Sequence, residues 1–80
     1  MKNINMNYFA FFRDLAAKSS EQLETEASNA RDLYQELKLK YDFNLCPSKL
    51  KVAINDEFSN FEAPLHDGDK VVFIPPVAGG

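Results

Sequence analysis

Three stretches of the chain alternate between apolar and polar side chains, which is the pattern of a half-buried β-strand. They cover residues 4–9, 49–54 and 70–74. A weaker strand is predicted over residues 22–26, where apolar and acidic side chains alternate, and a turn pair predicts a short hairpin over residues 55–59. Together these segments predict a sheet.

The main helix is predicted to begin after Asn29. This residue can cap a helix, and Asp32 places a carboxylate in the first turn. Apolar residues then recur at the spacing of one helix face, namely Ala30, Leu33, Tyr34, Leu37 and Tyr41. A shorter helix is predicted over residues 12–18. One strong helix that can cover one face of a mixed sheet predicts a two-layer α+β domain.

The sheet face that the helix leaves uncovered carries several apolar side chains. If the first and last strands are neighbours, Phe9, Val72 and Ile74 lie on this face, bordered by lysines, and Phe58 joins them from the hairpin. Single exposed apolar residues are common. A contiguous group of them is rarely left in water by a monomer, so the pattern favours a docking surface for another protein.

The length of 80 residues predicts one small domain, residues 1–74, followed by a flexible tail over residues 75–80. A net charge of -3, with lysines and arginines scattered, argues against a nucleic-acid or polybasic membrane surface. No apolar run approaches the roughly 18 residues of a membrane span, and residues 1–5 lack the apolar region of a signal peptide. The sequence therefore predicts a cytoplasmic protein.

The domain offers few groups for catalysis. His66 lies in a turn with no serine or cysteine placed to pair with it, and Cys46 has neither a disulfide partner nor a cationic neighbour. Glu21, Glu24 and Glu26 are predicted to form a solvated strand edge. The sequence has no zinc-type spacing and no Gly-rich phosphate loop. We expect no bound metal or cofactor and no active site within the domain.

The last six residues leave the predicted sheet. They are Pro75, Pro76, Val77, Ala78, Gly79 and Gly80. Proline ends the strand because it has no N–H for the ladder, and the two glycines form thin backbone that fits a narrow site. Chain ends are often frayed, but the α-carboxylate of Gly80 is the one group that could carry chemistry. It can attack the α-phosphate of ATP to form an acyl-adenylate, from which a sulfur or amine nucleophile displaces AMP.

Residues 67–80 read D-G-D-K-V-V-F-I-P-P-V-A-G-G. This segment closely resembles the signature D-G-D-x-V-x-φ-φ-P-P-V-x-G-G, with φ apolar, of MoaD, the small subunit of molybdopterin synthase. Residues 8–15 resemble the first strand and helix of that family, and residues 52–55 resemble its V-A-V-N segment. The match is loose over residues 21–41, where only the helix pattern agrees. The chain is thus similar to the MoaD/ThiS family of ubiquitin-like sulfur carriers.

The resemblance implies a ubiquitin-like β-grasp fold and a carrier that is not itself an enzyme. It implies that an E1-like, MoeB-like adenylyltransferase uses ATP to adenylate Gly80, which is then converted to a thiocarboxylate. The tail would enter the large subunit, MoaE, where the catalytic pocket transfers sulfur to cyclic pyranopterin monophosphate in molybdenum cofactor biosynthesis. The family's usual assembly is a heterotetramer with a dimer of large subunits at its centre.

The resemblance also suggests contact residues and leaves alternatives open. By position, Phe9, Phe58 and Ile74 match the family's apolar contacts with the large subunit, and Arg13 matches a basic residue near that interface. Residues 77–80 also resemble the end of ThiS, the carrier for thiazole synthesis, which lacks the Pro-Pro pair. A ubiquitin-like modifier that joins its C-terminus to lysines shares the same activation step.

Overall fold

Strands and helices are mixed along the chain. The strands are β1 (Lys2–Tyr8), β2 (Ser20–Thr25), β3 (Lys51–Ile54), β4 (Glu57–Ser59) and β5 (Lys70–Ile74), and the helices are α1 (Phe11–Ala16) and α2 (Ala30–Tyr41). These bounds come from a computed structural model, which describes residues 1–9, 11–41, 43 and 49–75. The strands form one sheet in the order β2-β1-β5-β3-β4, with β1 and β5 parallel and the other neighbours antiparallel. The predicted mixed sheet with one main helix on one face is confirmed.

The position of β5 decides where the C-terminal tail leaves the sheet. This strand lies at the centre, with Phe73 opposite Tyr8 of β1 and Ile74 opposite Lys51 of β3. The ends of β1 and β5 therefore meet the start of β3 at one end of the sheet, which we call the exit end. Several strand boundaries differ from prediction by one or two residues: β1 begins at Lys2 and ends before Phe9, β2 covers Ser20–Thr25, and β3 begins at Lys51.

The core between the sheet and α2 is rich in aromatic rings. The ring centroids of Tyr34 and Phe73 lie 5.1 Å apart, and those of Phe12 and Phe43 lie 4.7 Å apart. Phe43, which follows α2, belongs to the same core and is only 2% exposed. Each buried ring of this size contributes on the order of 2 kcal/mol of hydrophobic stabilisation.

Helix α2 forms as its sequence predicts. The Asn29 side-chain oxygen accepts a hydrogen bond of 2.9 Å from the backbone N–H of Asp32, which is the expected N-cap. The residues of the apolar stripe from Ala30 to Leu37 are buried against the sheet. Helix α1 ends earlier than predicted, because Ala17 has a φ of 60° and turns the chain out of the helix.

The segment Asp67-Gly68-Asp69 fastens the start of β5 to β1. The Asp67 carboxylate accepts a hydrogen bond of 2.6 Å from the backbone N–H of Asn3, and Gly68 N–H donates to the Asn3 carbonyl at 2.7 Å. Gly68 has a φ of +87°, a conformation that favours glycine. This part of the recognised signature therefore has a structural role.

The same segment also holds the hairpin between β3 and β4. Asn55 and Asp56 have φ values of 53° and 70°, as a two-residue type I′ turn requires. The Asn55 amide donates to the Asp69 carboxylate at 2.9 Å and accepts a hydrogen bond of 3.0 Å from the backbone N–H of Lys70. These bonds fix the register of β3 beside β5.

Candidate functional site

The face of the sheet opposite α2 is open. Alternate residues of neighbouring strands lie in register across it, so that Asn7, Val72, Ala53 and Phe58 form one row. At the β1 and β2 side this face is polar, and Gln22 donates a hydrogen bond of 3.1 Å to the Asn5 side chain. The apolar part of the open face is therefore confined to β5, β3 and β4.

An apolar patch occupies that part of the face, and we define it as Ala53, Phe58, Val72 and Ile74. Phe58 is 73% exposed, and the ammonium group of Lys51 lies 5.8 Å from its ring centroid. Val72 and Ile74 are partly buried by their neighbours. A large apolar side chain that is this exposed beside two aliphatic residues is typical of a protein-binding surface.

Phe9 and Arg13 border the exit end near this patch. Tyr8 of β1 pairs with Phe73 of β5. Phe9 directly follows Tyr8 and Ile74 directly follows Phe73, so Phe9 and Ile74 lie at the same end of two neighbouring strands. Phe9 is 56% exposed. Arg13 is exposed on α1, which follows β1 at this end. Their assignment as partner contacts stays a prediction.

The tail begins at the exit end. Pro75 is the last described residue, and it directly follows the central strand. Residues 76–80, which include the predicted reactive Gly80, lie outside the described residues. The division into a domain over residues 1–74 and a tail over residues 75–80 stays a prediction.

A carboxylate also lies at the exit end, and the sequence interpretation of it was wrong. Glu21 was assigned to a solvated strand edge, but its side chain is only 14% exposed. Its carboxylate accepts hydrogen bonds from the phenols of Tyr8 and Tyr41, the latter at 2.7 Å. The ammonium groups of Lys18 and Lys40 lie 3.4 and 3.9 Å from its other oxygen. Glu21 thus joins the ends of β1 and α2 to the start of β2.

These contacts change the titration of two groups. Burial raises the pKa of the Glu21 carboxyl, but the hydrogen bonds from Tyr8 and Tyr41 and the nearby ammonium groups outweigh it and hold that pKa below its ordinary value. Burial, followed by the hydrogen bond to Glu21, raises the pKa of the Tyr8 phenol well above its ordinary value. Glu21 is therefore a carboxylate and Tyr8 a neutral donor at neutral pH.

We expect E21Q to lower the free energy of unfolding at pH 7 by about 2 kcal/mol, because a charged acceptor of two hydrogen bonds becomes a neutral amide. The folded-state pKa of Glu21 is depressed, so its contribution is present above the unfolded-state pKa and is lost as the pH falls through the folded-state value. Urea unfolding at a series of pH values should show the difference between wild type and E21Q narrowing below about pH 4. E24Q, at an exposed position of the same strand, is the matched control and should change stability by less than about 0.5 kcal/mol. A loss for E21Q that is the same at acidic and neutral pH would contradict this interpretation.

The described part of the chain offers little other chemistry. His66 is exposed in a turn, and its backbone N–H donates to Asp69 at 2.8 Å. Cys46 lies outside the described residues. Across residues 1–9, 11–41, 43 and 49–75, no cluster of His, Cys, Asp and Glu side chains is arranged to hold a metal ion. Within the same ranges, neither helix has the length and apolar character needed to cross a membrane.

Comparison with known proteins places the chain in a family. A model of the ThiS family matches residues 6–80. The chain belongs to the ThiS family. The resemblance drawn from residues 67–80 is thereby confirmed, and the ThiS family match includes the Gly79-Gly80 end.

Relatives of this ThiS family member carry informative names. The molybdopterin synthase sulfur carrier subunit of Haemophilus influenzae is 35% identical over 80 residues, which cover 96% of this chain and 99% of that protein. The solved structure of a candidate molybdopterin converting factor, subunit 1, from Pyrococcus furiosus superposes with a TM-score of 0.78 at 29% identity, covering 96% of this chain and 100% of the other.

A third relative shows how widely the fold is used. Small archaeal modifier protein 1 from Methanosarcina acetivorans superposes with a TM-score of 0.78 at 22% identity and covers 100% of this chain and 98% of its own. That likeness shows the fold alone. The ubiquitin-like β-grasp fold predicted for this ThiS family member is confirmed, and the fold does not separate carriers from modifiers.

The predictions made from the sequence of this ThiS family member did not include two features of the site. Ala53 lies at the centre of the apolar patch because the two-residue turn pairs it with Phe58. The turn type was visible in Asn55-Asp56, so the register could have been predicted from it. The role of Glu21 had no local signal, because Tyr8 and Tyr41 lie 13 and 20 positions away along the chain.

Proposed function

We propose that this chain is the sulfur carrier subunit of a molybdopterin synthase, and that it carries sulfur as a thiocarboxylate at Gly80. The observation that carries the proposal is the likeness to the Haemophilus influenzae sulfur carrier subunit over almost the whole of both chains. The family match extends through Gly79-Gly80, so the likeness includes the group that would react.

The chemistry needs little from the domain itself. The Gly80 carboxylate attacks the α-phosphate of ATP, releasing pyrophosphate and forming an acyl-adenylate. A sulfur nucleophile then displaces AMP, and the terminal carboxylate becomes a thiocarboxylate. Glycine suits both attacks because it places no side chain beside the reacting carbonyl.

Two partners follow from this sequence of steps. An E1-like, MoeB-like enzyme would supply the ATP site for adenylation. The large subunit, MoaE, would supply the catalytic pocket in which sulfur passes from the tail to cyclic pyranopterin monophosphate. The present chain would contribute the tail and a surface by which both enzymes recognise it.

The apolar patch is the best candidate for that surface. It lies on the open sheet face, and Ile74 connects it directly to Pro75, where the tail starts. A large subunit bound over Phe58 and Ile74 would be positioned to receive the residues that follow. Phe9 and Arg13 lie at the same end of the sheet and would contact the border of such an interface.

The test is the intact mass of the purified chain after incubation with the E1-like enzyme, ATP and a sulfur donor. We expect the chain to gain the mass difference between one sulfur and one oxygen atom, and the gain to require ATP. The thiocarboxylated chain, mixed with the large subunit and cyclic pyranopterin monophosphate, should return to its original mass as molybdopterin forms.

Two outcomes would contradict the proposal. Attachment of the chain to lysines of other proteins, with no sulfur gained, would indicate a modifier. A thiocarboxylate that forms but is consumed only by a thiazole-forming enzyme would indicate a carrier for thiazole synthesis. A reaction without ATP serves as the control in each case.

A further inference from the structure

Charge is strongly segregated between the two ends of the sheet. Near the exit end lie five lysines, which we call the basic collar: Lys18, Lys38, Lys40, Lys49 and Lys51. Acidic residues gather near the opposite end, where β1 starts and β3 leads into β4: Glu24, Glu26, Asp32, Asp56, Glu57, Glu62, Asp67 and Asp69. Arg13, Asp14 and Glu21 also lie near the exit end, and Lys2, Arg31 and Lys70 near the opposite end, so the exit end keeps a net positive charge and the opposite end a net negative one. The formal net charge of -3 hides this difference.

The positions of the strands and of α2 place all five collar lysines near the exit end. Lys51 pairs across the sheet with Ile74, the last residue of β5, and Lys49 precedes it by two positions. Lys18 lies in the turn before β2, where the Ser19 carbonyl accepts a hydrogen bond of 2.9 Å from Tyr8 N–H. Lys38 and Lys40 belong to the last turn of α2.

Within the part of the chain that the structure describes, ion pairs involve only two of the five collar lysines. Lys18 and Lys40 share the single carboxylate of Glu21, and their ammonium groups lie 5.8 and 5.2 Å from the centroid of the Tyr41 ring. Among the described residues, the remaining collar lysines form no ion pair. At the opposite end, by contrast, Arg31 pairs with Glu62 and Lys70 with Asp56.

We infer that the basic collar is a second docking element, which contacts an acidic rim around the groove of the large subunit that receives the tail. The inference rests on the proposed function, because it needs a partner that takes the tail. Lys51 connects the two surfaces, since it belongs to the collar and its ammonium group also lies over Phe58 in the apolar patch. A partner seated on the patch would therefore face Lys51, and one that also surrounds the start of the tail would approach Lys38 and Lys40, which lie at the same end of the sheet on α2.

This charge distribution would orient the chain as it associates with the large subunit. Complementary charge raises the association rate and selects the end of the molecule that approaches first. Because the opposite end is acidic, the same partner rim would repel it. The tail would therefore reach the groove first. The same net charge spread evenly over the chain would not orient it in this way.

The test measures association of the chain with the large subunit of the same organism by stopped flow, as a function of salt. The variant K40Q/K49Q removes two collar charges, and K2Q/R31Q removes two charges from the opposite end, so that both have the same net charge. At about 10 mM ionic strength, where the Debye length is about 30 Å, we expect K40Q/K49Q to associate roughly 3-fold to 10-fold more slowly than wild type. K2Q/R31Q should not be slowed, and at about 1 M ionic strength the three chains should associate at similar rates.

Three results would overturn the inference. Equal slowing of both variants would mean that only net charge matters, and equal rates for all chains would mean that the collar faces solvent in the complex. If the slowing disappears when Gly79-Gly80 is deleted, the lysines act on the carboxylate of the tail and not on a partner rim. Failure of wild type to bind at any salt concentration would instead refute the proposed function and the partner that the collar requires. Thermal unfolding of each variant confirms that the comparison is between folded chains.

Discussion

Deletion of Gly79 and Gly80 is expected to abolish thiocarboxylate formation without unfolding the domain. The core is built from residues up to Phe73, and the hydrogen bonds that hold β5 involve Asn3, Asn55 and Asp69. The deletion removes none of these residues, so the free energy of unfolding should change by less than about 0.5 kcal/mol. Intact mass after incubation with the activating enzyme, ATP and a sulfur donor should show only the starting chain.

A variant of unchanged length distinguishes the effect of losing the two glycines from the effect of shortening the chain. In G79S/G80S the terminal carboxylate is present, but side chains stand beside the reacting carbonyl and thicken the tail. We expect it to bind the large subunit through the open sheet face and to gain sulfur only poorly. Normal sulfur transfer by the deleted chain would mean that the reactive group lies elsewhere.

Replacement of Phe58 by alanine is expected to weaken binding of the large subunit by about 30-fold. An exposed aromatic ring at the centre of an interface is a typical hot spot, and truncation of such a residue costs about 2 kcal/mol. The free chain should hardly change in stability, because Phe58 is 73% exposed in it. Titration calorimetry with the purified large subunit gives the affinity, and urea unfolding gives the stability.

Leu39 provides a matched control. It is 88% exposed on α2, which covers the other face of the sheet, so L39A also removes an exposed apolar side chain. L39A should bind like wild type, because it leaves the charges of the neighbouring Lys38 and Lys40 unchanged. I74K should bind more weakly still, because it would bury an unpaired charge in the patch. Equal effects of F58A and L39A, or unchanged affinity of I74K, would show that the partner does not bind over the open sheet face.

Much of the fold could be predicted because its pattern is local. The stripe from Ala30 to Leu37 defines α2 from spacing alone, and the alternation in residues 70–74 identifies β5 and its two faces. The strand order could be predicted only by assuming that the first and last strands are neighbours. That assumption is confirmed by the pairing of Tyr8 with Phe73.

Other features could not be predicted because they depend on residues far apart in the sequence. Glu21 lies among exposed acidic neighbours, and its burial results from the approach of Tyr8 and Tyr41 in the folded state. The charge separation between the two ends of the sheet is also invisible in the sequence, where lysines and acidic residues are interspersed. It emerges only when antiparallel strands bring distant segments to the same end.

The central place of β5 has a consequence for how the protein folds. In the sheet, β1 and β2 form one pair and β3 and β4 another, and β5 lies between the two pairs. The parallel contact of residues 5–8 with residues 70–73 spans nearly the whole chain, and such non-local pairing is slow to form. The strand that carries the tail is thus the one that unites the two halves. If both enzymes recognise the open sheet face as proposed, a chain in which β5 has not docked would lack that surface, and its loading with sulfur would have to wait until the sheet is complete.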